Sequence, residues 1–386
     1  MTQRKTTRAE VPSRPAKPIP ATMAEITHFI PPYPPSWFDR FTAWVDRLPG
    51  PAWAFYLILG VAAGVGESAL QWWGGAYPVG TFNTLHFWTA GHFAFVLGLI
   101  HLLDTSAGSA LASFRPLLVS EEDGKRPSPK DELLYARISY ELTTLPTRPT
   151  LLATLGGAAW AVFIFGLQLS SGPTPLLLAG TSGSALSTAS VMALLVLGNA
   201  ASGVLVYHTI RQLAQISRIY SHHARINIYQ LQPLYSLSVP GALTAVGMML
   251  FTYIWFATST SMTPEVGFVE IGLSVTFAII AAATFGLPLA GAHRRLVAEK
   301  NRRLAETAAR FEATSEELHR ELDGRRLIHM DQLNKALASL ELEQNTVRRT
   351  PTWPWEPGAL RGLIAALLLP IVIWLVQYFL SRWLGA

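Results

Sequence analysis

Residues 186–207, LSTASVMALLVLGNAASGVLVY, form an apolar run without a single charged side chain. About 20 such residues in helical conformation cross the ~30 Å hydrocarbon core of a bilayer. Six similar runs occur elsewhere, and one chain of 386 residues cannot bury seven apolar helices in a soluble core. The sequence therefore predicts an all-α, polytopic membrane protein with seven transmembrane helices. The spans are expected at about 52–73, 85–103, 149–169, 186–207, 238–258, 268–290 and 359–380.

The overall composition agrees with a membrane protein. Half of the residues are hydrophobic and only 14% are charged, whereas soluble domains carry about 25% charged residues. This balance argues against a disordered chain, a nucleic-acid-binding protein and an ordinary cytosolic enzyme. The chain has no cysteine, which excludes disulfides, thiol catalysis and cysteine-ligated metal.

The distribution of basic residues predicts the orientation. Of the 30 Lys and Arg residues, 29 lie before span one or in the connections that follow spans two, four and six. The intervening connections, 74–84, 170–185 and 259–267, contain none. Because Lys and Arg favour the cytoplasmic side, we expect the N-terminus inside and the C-terminus outside the cell membrane. Arg outnumbers Lys by 24 to 6, which is typical of a GC-rich bacterial genome, so we expect a bacterial inner membrane.

The segment before span one divides into two parts. Residues 1–35 are rich in Pro and lack periodicity, which predicts a disordered cytoplasmic tail. Residues 36–48 then begin with Ser36 and Asp39 in a capping-box arrangement and place aromatic side chains on one helical face. We expect an amphipathic helix in the plane of the membrane interface. The alternative is a helix packed on the protein's own cytoplasmic face.

Residues 291–357 form the largest polar segment and show heptad spacing. Val297, Leu304, Phe311 and Leu318 recur every seven residues, and an apolar pattern resumes at Met330 after the turn signal at Gly324. We therefore predict a cytoplasmic, antiparallel coiled-coil hairpin between spans six and seven. Its first helix should continue directly from span six. Polar residues at several core positions weaken the contact between the two helices of the hairpin. Residues 291–349 are therefore also a candidate surface for homo-oligomerisation or a protein partner.

Three polar side chains inside the spans are candidate intramembrane contacts. Glu67 lies ~9 Å from one end of span one, and His92 lies at a similar depth in span two. A hydrogen bond between them would lower the cost of burying both, and the pair could be structural or could bind a proton or ligand. Asn199 lies among small residues in span four, which predicts close helix packing with a polar contact between helices.

Motifs for catalysis, nucleotides and metals are missing from the sequence. It has no phosphate-binding loop, nucleophile elbow or zinc-protease motif. His86, His92 and His101 do not share one helical face, so they do not converge on a haem, and His101 with Asp104 is expected to cap a helix end. We therefore expect no cofactor, no metal site and no nucleic-acid partner. The lipid bilayer is the expected surrounding of the protein.

Three classes of function remain. We expect a non-enzymatic scaffold, signalling or assembly component that acts through its cytoplasmic helices. The alternative is a small-solute or ion permease or channel that uses Glu67 and His92. An intramembrane redox protein or enzyme ranks third, because the candidate side chains do not converge.

Overall fold

The computed structural model describes most of the chain, and the account below is restricted to those residues. They are 29–118, 129–170, 185–224, 228–229, 231–260, 268–325, 328–355, 358, 360–366 and 368. The predicted tail is described only from residue 29 onward. Most of the predicted seventh span, 359–380, lies outside the described residues.

The described part of the chain is helical. Its helices are α1 (Trp37–Val45), α2 (Ala52–Trp73), α3 (Thr84–Phe114), α4 (Pro129–Thr143), α5 (Thr147–Ser170), α6 (Ala185–Arg218), α7 (Gln232–Ser236), α8 (Ser238–Thr260), α9 (Phe268–Asp323) and α10 (Met330–Arg349). A 3₁₀ turn follows α3, and a π-helical turn, Ile219–His223, follows α6. The all-α class predicted from the sequence is confirmed.

Six helices are long and apolar enough to cross a membrane, which indicates a membrane protein. They are α2, α3, α5, α6, α8 and α9, in the order of the first six predicted spans. Large apolar side chains on their outer faces are exposed, such as Ile58, Leu152 and Ile279. A hydrocarbon surrounding would cover these faces.

Helix α3 is the centre of the bundle. It packs against α2, α6 and α8, and its buried side chains run along most of its length. We call the end of the bundle that carries α1, α4 and α7 the basic end, because the Lys- and Arg-rich connections lie there. The α2–α3 connection, residues 74–83, marks the opposite end.

Glycines allow two pairs of helices to approach closely. At the α2–α3 crossing, a Cβ on Gly91 would lie 3.3 Å from the carbonyl oxygen of Gly60. At the α5–α6 crossing, a Cβ on Gly157 would lie 2.1 Å from the carbonyl oxygen of Asn199. Gly156 faces open space. Close helix packing thus depends on the small residue at Gly157 and not on its neighbour.

Helix α1 begins with the predicted capping box. The Ser36 hydroxyl accepts from the Asp39 amide, and the Asp39 carboxylate accepts from the Ser36 amide at 2.8 Å. The apolar face of the helix then packs on the bundle, where Phe38 is fully buried and Trp37 donates to the Thr154 hydroxyl at 3.1 Å. These contacts match the alternative of a helix packed on the protein itself, although Trp44 stays half exposed.

Two features at the basic end are not evident from the sequence. Helix α4 lies in the connection between the second and third spans, and Arg115 forms an ion pair with Glu132 there. Tyr220, in the turn after α6, is completely buried and donates to the carbonyl oxygen of Leu234 at 2.6 Å. These contacts tie the connections to the end of the bundle.

Helix α9 is the longest element, with 56 residues from Phe268 to Asp323. It passes Pro288 without a break. Membrane helices tolerate proline because neighbouring groups satisfy the freed carbonyl. A turn at Gly324 and Arg325 follows, and α10 then contacts α9.

Candidate functional site

Buried polar side chains lie along α3 and the helices beside it at three depths. We call them the polar seam, and they occupy the opposite end, the middle and the basic end of the bundle. From His92 to Asp104 the seam extends ~18 Å along α3, at 1.5 Å per residue. Its members are Glu67, Gln71, Ser187 and Ser190; then His92 and Ser202; then Tyr56, His101, Asp104 and His208, with the exposed Asp46 as a partner of His101.

At the opposite end, Glu67 is almost completely buried between α2 and α6, with 3% of its surface exposed. Its Oε1 accepts from Gln71 Nε2 at 2.5 Å and from the Ser190 hydroxyl at 3.2 Å. Gln71 also donates to the Ser187 carbonyl oxygen at 3.3 Å and accepts from the Ser187 hydroxyl. Glu67 Oε2 is buried and has no hydrogen-bond partner among the described residues.

In the middle of the seam, His92 projects from α3 toward α6. Its Nε2 hydrogen-bonds the Ser202 hydroxyl at 3.0 Å. The imidazole stacks on Trp88 with ring centroids 5.9 Å apart, and Phe251 lies 4.9 Å away. Gly198 makes room for the ring, because a Cβ there would lie 2.6 Å from His92 Nδ1.

The structure does not join Glu67 to His92, so the predicted hydrogen bond between them is wrong. Each residue bonds to a different serine of α6, Ser190 and Ser202 respectively. A similar depth in the bundle does not bring the two side chains into contact, because both turn toward α6 rather than toward each other. The predicted contact of Asn199 between helices is also wrong, since its side chain donates to the Leu195 carbonyl oxygen one turn earlier in α6, at 2.9 Å. The main chain of Asn199, by contrast, contacts Gly157 of α5.

At the basic end, His101 connects three helical segments. Its Nδ1 lies 3.0 Å from the Tyr56 hydroxyl of α2, and its Nε2 lies 3.3 Å from Asp46 Oδ1 at the end of α1. The imidazole is 8% exposed, whereas the Asp46 side chain is 63% exposed. His101 is therefore the buried partner of a carboxylate at the surface.

A second His–Asp pair lies one turn further along α3. His208 Nε2 lies 2.8 Å from Asp104 Oδ1, and the His208 side chain is 1% exposed. The predicted helix cap by His101 and Asp104 is wrong, because each of them pairs with a different residue. The sequence could have marked His208 as a candidate polar residue, since it lies where span four passes into the basic connection. The sequence around His208 does not indicate that its partner is Asp104.

Polar contacts continue from this pair toward the surface of the basic end. Arg211 donates to the Tyr33 hydroxyl at 2.5 Å and to the Glu141 carbonyl oxygen at 3.2 Å. Burial raises the pKa of Tyr33 to about 12, although Arg211 acts in the other direction. Burial likewise raises the pKa of Asp39, against hydrogen bonds from Ser36 and Leu145 that lower it. Partly buried ionisable groups thus also lie where α1 meets the bundle.

The chemistry open to the seam is the binding of protons or small cations. Within the described ranges, no group of three His, Asp or Glu side chains is arranged to hold a metal ion. At the basic end two imidazoles meet carboxylates, His101 with Asp46 and His208 with Asp104, and each pair joins two helical segments. Such pairs can take up or release a proton when the helices between them move.

A second candidate surface is formed by α9 and α10 beyond the basic end. Lys300 Nζ donates to the carbonyl oxygens of Arg348 at 2.6 Å and Thr350 at 2.8 Å. His293 Nδ1 hydrogen-bonds the Thr352 carbonyl oxygen at 3.0 Å, and its ring stacks on Trp353 with centroids 4.0 Å apart. These contacts hold the C-terminal end of α10 against α9.

Further from the bundle, apolar side chains of this surface are exposed. Phe311 of α9 is 40% exposed and Leu342 of α10 is 69% exposed. Near the bundle, in contrast, Val347 of α10 is fully buried and belongs to the hydrophobic core cluster against which Leu304 of α9 also packs. The part of the two helices that is distant from the bundle therefore presents incompletely covered apolar surface.

Comparison of the chain with models of protein families, with curated proteins and with solved structures gives no match.

Proposed function

We propose that the chain is a signalling or assembly component of a bacterial cell membrane that acts through its cytoplasmic helices and has no enzymatic activity. In this proposal the basic end faces the cytoplasm and residues 359–380 complete seven spans. The orientation is supported by the 29 of 30 basic residues that fall on one side. The single observation that best supports this function is that α9 continues without a break from the bundle to the hairpin.

In this proposal α9 runs from the bundle to the cytoplasmic side as one continuous helix. Its 56 residues correspond to ~84 Å at 1.5 Å per residue. Where it leaves the bundle, Arg295 donates to the carbonyl oxygen of Tyr220 at 2.6 Å. Because Tyr220 is buried against Phe114 of α3, a shift of α3 or α6 would be transmitted to α9.

The contacts of α9 with α10 support the antiparallel hairpin. Position 293 of α9 meets position 352, and position 300 meets positions 348 and 350, so residue numbers at the end of α10 fall as they rise along α9. Beyond this point the exposed Phe311 and Leu342 offer a surface for a partner helix. A protein partner or a second copy of the chain would cover them.

Two experiments test this proposal. Reporters of sidedness inserted at Gly324 and fused after Ala386 should give opposite readouts, inside and outside, and matching readouts would contradict the topology. Photoreactive amino acids at Phe311 and Leu342 should crosslink to one discrete partner or to a second copy. Exposed positions with small side chains, Ala309 and Ala338, serve as matched controls. Equal crosslinking at all four positions would refute a partner surface on the apolar positions.

A small-solute or ion permease is the second candidate, and the polar seam favours it. A charge at the bilayer centre costs about 2.5–3.5 kcal/mol on insertion scales, so buried ionisable residues in spans are functional candidates. The purified chain in liposomes should then conduct protons or cations, and Glu67→Gln or His92→Phe should abolish the flux. Absence of flux in the wild type would exclude this candidate.

A further inference from the structure

Positive charge is concentrated where α9 and α10 meet the bundle. Segments 291–303 and 344–361, which we call the proximal region, contain eight Lys and Arg but only two Asp and Glu. The distal region, 304–343, contains five Lys and Arg and nine Asp and Glu. The formal charge is therefore +6 in the proximal region and −4 in the distal region.

Four arginines of the proximal region are exposed and form no ion pair with any acidic residue of the described part of the chain. They are Arg294 of α9, Arg348 and Arg349 at the end of α10, and Arg361. Arg302 and Arg303, at the distal edge of the region, are instead paired with Glu299. Because like charges repel one another, the unpaired arginines favour an anionic surrounding.

A stack of aromatic rings lies beside these arginines. Trp353 stacks on His293 and on Trp355, with ring centroids 4.0 Å and 4.7 Å apart, and Trp355 stacks on Phe285 at 5.9 Å. The stack thus passes from the apolar part of α9 to the position before Arg294. Tryptophan is enriched at membrane–water interfaces, which indicates that this part of the molecule lies at the membrane surface.

The unpaired arginines lie close to the depth of lipid headgroups. The headgroup layer adds roughly 5–8 Å to each side of the hydrocarbon core. Arg294 follows the predicted end of its span by four residues, ~6 Å along the helix. Lys300, which donates to the Arg348 carbonyl oxygen at 2.6 Å, lies at most ~9 Å further. That distance is about one Debye length at physiological ionic strength, so the end of α10 also experiences the charge of the headgroups.

We propose that the proximal region binds anionic phospholipid headgroups of the surrounding membrane through Arg294, Arg348 and Arg349. A guanidinium group donates paired hydrogen bonds to a phosphate, and basic residues next to a span are attracted to anionic lipid. The same lipid surface repels the distal region, so α9 and α10 contact the membrane only at their proximal ends. The proposal requires that the bundle lies in a membrane, but it depends neither on the orientation nor on a protein partner.

A fluorescent probe at one position measures this binding. The native chain has no cysteine, so Thr346→Cys, at an exposed position two residues before Arg348, carries the only label. Titration of the full chain in uncharged detergent micelles with phosphatidylglycerol should give a saturable response. Phosphatidylcholine with the same acyl chains should give none. Raising NaCl from about 0.1 M to about 1 M should weaken the binding, because the Debye length falls from ~10 Å to ~3 Å.

Two triple variants locate the binding surface. Arg294→Gln, Arg348→Gln and Arg349→Gln combined should raise the half-saturating lipid concentration by about 100-fold, at about fivefold for each arginine. The matched control removes the same number of positive charges from exposed positions of the distal region, and it should bind like the wild type. It combines Arg310→Gln, Arg320→Gln and Lys335→Gln.

Three outcomes would overturn the proposal. One is an equal response to phosphatidylglycerol and to phosphatidylcholine. Another is an equal loss of binding in the two triple variants. The third is an equally strong response to inorganic phosphate, which would assign a soluble anion to the surface instead of a lipid. If the proximal triple variant fails to fold, Arg294→Gln alone decides the question, because unchanged lipid binding in this variant would contradict the proposal.

Discussion

The contact between α5 and α6 at Gly157 allows a sharp test of the packing. In Gly157→Ala the new Cβ would lie 2.1 Å from the carbonyl oxygen and 2.9 Å from the carbonyl carbon of Asn199, far inside the 3.4–4 Å of ordinary contact. It would also lie 3.1 Å from the Cα of Ala200. Because all three are main-chain atoms, no side-chain rotation can relieve the overlap. The two helices must move apart.

The size of the effect follows from two opposing terms. Overpacking of a close-packed contact costs about 1–3 kcal/mol. Alanine gains about 1 kcal/mol over glycine in helix propensity, which offsets part of that cost. Gly156→Ala gains the same propensity but meets no atom within 4 Å. The comparison of the two variants cancels the propensity term, so Gly157→Ala should be less stable than Gly156→Ala by about 1–3 kcal/mol.

Equilibrium unfolding in mixed detergent micelles, followed by tryptophan fluorescence, measures this difference in the free energy of unfolding. Gly203→Ala provides a second check from the other helix, since its Cβ would lie 2.2 Å from the Ala153 carbonyl oxygen. Its cost should not add fully to that of Gly157→Ala, because separating the helices once relieves both overlaps. Equal stability of Gly156→Ala and Gly157→Ala would refute the close approach of α5 and α6.

Three further predictions concern the basic end. Asp104→Ala should lower the free energy of unfolding by about 1–3 kcal/mol because it leaves His208 buried without its partner, and Asp104→Asn should cost less because the amide oxygen still accepts. Tyr220→Phe should also lower the free energy of unfolding by about 1–3 kcal/mol, since the carbonyl oxygen of Leu234 loses its buried donor. Chemical unfolding measures the change at both positions. Lys300→Ala should speed hydrogen exchange in residues 340–350, measured by mass spectrometry, with no change in the bundle.

Exposed residues of the same types provide the controls. Tyr229→Phe removes a surface hydroxyl that lies 3.2 Å from Glu343, and it should change stability by no more than about 0.5 kcal/mol. Lys335→Ala removes an exposed ion pair with Asp331 and should leave hydrogen exchange near 340–350 unchanged. A cost for Tyr220→Phe no larger than that for Tyr229→Phe would contradict the buried hydrogen bond. Equal exchange in the two lysine variants would contradict the contact of Lys300 with the end of α10.

The amino-acid sequence by itself determined the six helices of the described residues that are long and apolar enough to cross a membrane. The predicted run 52–73 coincides with α2, Ala52–Trp73, and the run 186–207 lies within α6. This succeeds because a span must be long and apolar and must satisfy its own main-chain hydrogen bonds, which are properties of one segment alone. The capping box at Ser36 is equally local, since both of its hydrogen bonds join residues three apart.

The tertiary structure alone decided which polar residues meet. Position in the sequence places Glu67 in α2 and His92 in α3, and both side chains are buried in the structure. The direction in which each side chain points depends on how the helices rotate and cross, which is set by packing such as that of Gly198 against His92. Contacts such as Asp104 with His208 join residues about a hundred positions apart. No periodicity within one helix specifies such a pair, because its energy exists only after both helices have packed.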